Sequence, residues 1–78
     1  YEYNPVNIDY LDEKCEELVS KGLATKEKNK IVIDVTEIGY NKVLGKGKIN
    51  KALIIKSPQF SKSALKKIED AGGEAITL

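Results

Sequence analysis

The chain has 78 residues, 41% hydrophobic and 32% charged, enough for one small core and too apolar for a disordered tail. It carries 13 lysines but no arginine or histidine, so the commonest acid–base catalyst and metal ligand and the bidentate fork of many phosphate-binding enzymes are both missing. The lone Cys15 excludes an internal disulfide and a cysteine-based zinc cluster, and suits a reducing cytoplasm. The apolar run Leu53-Ile54-Ile55 is far short of the roughly 20 residues of a membrane helix, and no charged-then-apolar signal segment opens the chain. A start at Tyr1-Glu2-Tyr3, without methionine, reads as a fragment of something longer.

Asn4-Pro5-Val6-Asn7 reads as an extended lead-in, because proline fixes its own φ and biases the residue before it away from helix. A helix is predicted from about Ile8 to Lys21. Leu11, Cys15, Leu18 and Val19 fall on one apolar stripe, Asn7 or Asp9 caps its start, and Gly22 ends it. Cys15 lies within that stripe and reads as a small buried hydrophobe rather than a reactive thiol. Asp9, Asp12, Glu13, Glu16 and Glu17 are assigned to solvent as ordinary helix-surface acids, with no metal-loop spacing. Leu23 to Asn29 reads as a turn region.

Lys30 to Val35 is rich in β-branched residues and reads as a strand, broken by Gly39. Lys42-Val43-Leu44 is a further short strand, and Gly45-Lys46-Gly47-Lys48 a loop. Ala52 to Ile55 is expected to be a strand buried on both faces, given its unbroken apolar run. A second helix, capped by Ser61 or Ser63, buries Ala64, Leu65, Ile68 and Ala71 and ends at Gly72-Gly73. Glu74 to Leu78 is a last strand. The fold class is a small single-domain α/β protein, residues 1–78, with two helices and about four to five short strands.

A net charge of +1 hides a strong asymmetry. Residues 1–39 hold five lysines and nine acids, whereas residues 40–78 hold eight lysines and three acids. Ile38 to Ile68 contains eight lysines and no acid, which concentrates positive potential on one part of the molecule. Within it, the alternating glycines and lysines of Lys42 to Lys48 suit close backbone approach to a polyanion and an anion-binding nest of amides. A nucleotide-binding P-loop is excluded by spacing. Gly39 and Gly45 enclose five residues rather than four, and Lys46 precedes Gly47 rather than a magnesium-holding Ser or Thr. Lys62, Lys66 and Lys67 are placed at or near the outer face of the second helix. Lys62 lies in its first turn, where the helix dipole disfavours a cation and a phosphate partner would explain one. Base stacking is a second way to hold RNA. Phe60 reads as core or as a hydrophobic staple, and Tyr40 is divided between packing and RNA contact.

Lys42-Val43-Leu44-Gly45-Lys46-Gly47-Lys48-Ile49 is followed by Leu53-Ile54-Ile55. Phe60-Ser61, Ala64, Ile68 and Gly72-Gly73 come next. Together they resemble the signature of the L-fifteen family of large-subunit ribosomal proteins. Glu17-Leu18-Val19, Gly22-Leu23-Ala24 and Val32-Ile33-Asp34 look like its archaeal version. The resemblance implies a globular carboxy-terminal domain, separated from a basic amino-terminal arm. It implies a structural, non-enzymatic constituent of the cytoplasmic ribosome that needs no cofactor and no membrane and is a monomer outside the particle. Its partners would be large-subunit rRNA, whose assembly into the subunit it would aid, and neighbouring ribosomal proteins. Carried over by position, the family's loop corresponds to Lys42, Gly45, Lys46, Gly47 and Lys48, and Lys51, Lys62 and Lys66 of the acid-free segment are added as RNA-binding candidates on their charge. A winged-helix-like nucleic-acid or protein-interaction module is the alternative. It calls for two further helices before the first strand.

Overall fold

A computed structural model describes residues 3–78. The chain runs β1 (Pro5–Asn7), α1 (Ile8–Ser20), β2 (Ala24–Glu27), β3 (Lys30–Asp34), a 3-10 turn (Val35–Ile38), β4 (Lys42–Leu44), β5 (Leu53–Ser57), α2 (Lys62–Asp70) and β6 (Glu74–Thr77). Four strands form a mixed sheet in the order β2-β3-β5-β6, with β2 antiparallel to β3 and the other pairs parallel. β1 and β4 make a separate parallel pair, Val6 opposite Val43.

Both helices form where the sequence places them. The α1 stripe buries Ile8, Leu11, Cys15 and Leu18, and the chain closes the helix with Gly22 N–H on the Val19 carbonyl and Leu23 N–H on that of Leu18. Asn7 is the N-cap residue but makes no side-chain cap bond; Asp9 Oδ1 instead accepts the Tyr10 amide. Ser61 caps α2 by accepting the Ala64 amide, and Gly72 and Gly73 close it against Glu69 and Ile68. Leu65, predicted in the buried stripe, is 37% exposed. It follows Ala64 by one residue, about 100° around the helix, and so turns off the core face.

Three readings are corrected. The predicted turn over 23–29 contains β2, a polar edge strand that shows no apolar alternation and forms by pairing with β3 through a tight turn at Lys28 (φ 53). β5 is not buried on both faces. Leu53, Ile55 and Ser57 are buried, whereas Ile54 and Lys56 are only half-buried. One cluster joins Ile31, Ile33, Leu53 and Ile55 to the stripes of α1 and α2, so both helices cover the same side and the other side of the sheet faces water. Among the described residues, α1 is the sole helix before β2, so the two further helices of a winged-helix reading are absent there.

Candidate nucleic-acid interface

The basic loop lies in the crossover from β3 to β5, between β4 and residue Leu53. β4 is held on one side by β1 and on the other by the segment before α2, through Val43 N–H to the Gln59 carbonyl and Ser61 N–H to the Val43 carbonyl. Beyond it the loop is fastened to both helices. Gly45 is buried, its amide donating to Ser61 Oγ at 3.1 Å. Lys67 Nζ donates to the carbonyls of Gly45 (2.7 Å) and Gly47 (2.9 Å). From the other side, Asp12 Oδ1 accepts the amides of Asn50 and Lys51, each at 3.1 Å.

The two loop glycines are required by internal packing. A Cβ on Gly45 would run into Ser63 and the backbone of Ala64 at the start of α2. One on Gly47, at φ 90, would run into the carboxylate of Asp9. The amides of Gly45, Asn50 and Lys51 are likewise engaged within the protein. The glycines therefore let the loop lie flat against both helices.

The lysines divide into two groups. Lys46, Lys48, Lys62 and Lys66 are exposed, and among the described residues none of their ammonium groups makes an internal hydrogen bond or ion pair. Gly45 abuts the first turn of α2, which carries Lys62, so the loop and that helix form one positive surface. Lys51 is committed internally, and Lys42 rests over an aromatic ring. Lys51 Nζ donates to the Asp12 carbonyl at 3.3 Å and lies 3.5 Å from Cys15 Sγ, and the Lys42 ammonium sits 5.8 Å from the ring centroid of Tyr3.

Sequence reasoning missed two residues at this surface. Asp12, assigned to solvent, holds the loop, and Lys67, assigned near the outer face of α2, turns back to tie it down. No local pattern signals either role, because the partners lie 20–39 residues apart. Cys15 is fully buried, as its place in the stripe required. Phe60 and Tyr40 both pack against the core. Among the described residues no group of three or more His, Cys, Asp or Glu could hold a metal ion, and no helix is long and apolar enough to cross a membrane.

Residues 5–76 match the family model that describes the ribosomal proteins L15 and L18e of the 50S subunit and L-twenty-seven-A of the 60S subunit. The large ribosomal subunit protein uL15 of Methanobrevibacter smithii is 60% identical over 75 residues, covering 96% of this chain and 52% of that protein. The protein of the same name from Methanosphaera stadtmanae is 51% identical over 74 residues, covering 95% and 51%. That of Methanothermobacter thermautotrophicus is 47% identical over 70 residues, covering 90% and 48%. The chain spans about half the length of these curated relatives.

Proposed function

Because the chain belongs to this family of large-subunit ribosomal proteins, we propose that it is a structural constituent of the large ribosomal subunit that binds large-subunit rRNA. The role is binding and subunit assembly, not catalysis. It is exercised in the cytoplasmic ribosome, beside other ribosomal proteins, by a domain that is monomeric outside the particle. The carrying observation is the set of exposed lysines, Lys46, Lys48, Lys62 and Lys66, without internal partners around a loop fastened to both helices. Lysine ammonium groups on a fixed surface neutralise backbone phosphates without reading bases, and each contact releases counterions. Gly45 and Gly47 serve by shape, and Lys51 by anchoring the loop to α1 as well as by charge. Lys42 contributes from the base of the loop.

Binding of the domain to large-subunit rRNA across a salt series tests this reading. A variant with Lys46, Lys48, Lys62 and Lys66 changed to Gln should bind more weakly. Its slope of log affinity against log salt should be shallower by about 0.7–0.9 for each phosphate no longer neutralised. An unchanged slope would place the RNA surface elsewhere, and equal failure of both proteins to bind would mean that affinity resides outside this domain.

A further inference from the structure

Three of the four tyrosines gather at a place that the exposed lysines do not explain. Tyr40 is half-buried against the core. Tyr10, in the first turn of α1, meets it edge-on, with centroids 6.2 Å apart and 66° between the rings. Tyr3 stands one residue before Asn4, which bonds to the segment that carries Tyr40. Asn4 donates to the Gly39 carbonyl and to Asn41 Oδ1, and its own carbonyl accepts the Asn41 amide, so the β1–β4 pairing extends towards Tyr3 and Tyr40. Lys42 completes the group, its ammonium over the Tyr3 ring.

Core packing accounts for Tyr40 but not for the two outer rings. Tyr3 is 59% and Tyr10 41% exposed, so much of their aromatic surface faces water beside a cation. The first turn of α1 meets both the tyrosines and the basic loop, because Asp9, next to Tyr10 in sequence, is the residue against which Gly47 packs. The Asp9 carboxylate accepts the Tyr10 amide and is turned to the backbone there.

We propose that Tyr3, Tyr10 and Tyr40 form a stacking platform for an unpaired RNA base, with Lys42 neutralising the phosphate of that nucleotide. Bases within a duplex present only their edges, so the occupant is a nucleotide splayed from a loop, bulge or strand end. Aromatic faces stack on any base, and a neighbouring ammonium supplies the phosphate contact. The inference rests on the RNA-binding reading above and extends it from phosphate contact to base contact.

Stacking and phosphate contact separate by salt dependence. The test compares the chain, a Tyr3→Leu/Tyr10→Leu variant and a Tyr3→Phe/Tyr10→Phe variant for binding to large-subunit rRNA across the same salt series. Leucine keeps apolar bulk and loses the π-face, whereas phenylalanine keeps the face and loses the hydroxyl. The leucine variant should bind about tenfold more weakly at every salt concentration with an unaltered slope. The phenylalanine variant should stay within about twofold of the parent. The Tyr40 ring protons should shift upfield when RNA is added to the parent, as a ring under a stacked base does. Leucine binding as tightly as the parent, or phenylalanine losing as much as leucine, would overturn the platform. So would a weakening that appears in the slope. A shallower slope in the lysine variant with the tyrosine effect absent would sink the platform and leave the phosphate surface standing. No binding by the parent would sink both.

Discussion

Asp12 is an acid placed beside a surface of opposite charge, and its work is mechanical. One carboxylate oxygen takes two consecutive backbone amides of the basic loop, Asn50 and Lys51, while the carbonyl of the same residue receives the Lys51 ammonium. By charge alone, Asp12→Ala should improve binding to a polyanion. The expected result is the opposite. With the two amides unpartnered the loop loosens, Lys46 and Lys48 lose their fixed positions, and rRNA affinity falls a few-fold. Stability should fall by about 1.5–3 kcal/mol, the worth of a single hydrogen bond to a charged group, because both amides share one exposed oxygen. Asp12→Asn keeps an oxygen acceptor and should recover most of both. Urea unfolding and RNA titration of the two variants check this, and tighter RNA binding by the alanine variant would sink the idea. Helical spacing tells which side of α1 carries Asp12 but not what crosses that side, so the residue read as solvent-facing. Lys67 is exposed as expected, and its bonds to the loop stayed hidden for the same reason.

At the level of elements, Ser61 joins two structures that would otherwise be separate. Its hydroxyl accepts the Ala64 amide, capping α2, and also the Gly45 amide, fixing the entry to the loop. An ordinary capping serine contributes about 1 kcal/mol. Ser61→Ala leaves a second, part-buried donor unsatisfied and should therefore cost about 2 kcal/mol in chemical denaturation. Ser63→Ala, at the other candidate cap, should cost little. Elements with a local code were legible: the α1 stripe with Gly22, the Ser61 cap, and the glycines after α2. β2 was not, because Ala24-Thr25-Lys26-Glu27 becomes a strand only by lying next to β3. The half-exposure of Ile54 was also hidden. An apolar run shows that a strand is hydrophobic, and only the arrangement of the helices shows that one of its faces is left uncovered.

Across the whole molecule, the lysine-rich half of the sequence becomes a surface only through distant contacts. The carboxylate of Asp12 reaches residues 38 and 39 positions away, Lys67 reaches back 20 and 22, and β1 pairs with β4 across 37 positions. The charge asymmetry was therefore readable from composition, whereas its geometry was not. The acid-rich outer side of α1, with Glu13, Glu16 and Glu17 exposed, stays in solvent as expected, Glu17 lying near Lys14 and Lys21.

The double fastening of the loop also sets an order of events. An unfolded chain carries the same lysines on a flexible thread, where they bind polyanions weakly and without register. Since the ties come from α1 on one side and α2 on the other, the surface is complete only after the segment through Lys67 has been made and has collapsed onto the sheet. In a urea titration, rRNA affinity should therefore disappear together with the helical signal in circular dichroism. Affinity persisting after the helices have melted would contradict this. On the proposed rRNA-binding role, a nascent copy of this domain would stay a poor RNA ligand until its fold closes, so that binding would double as a check on folding.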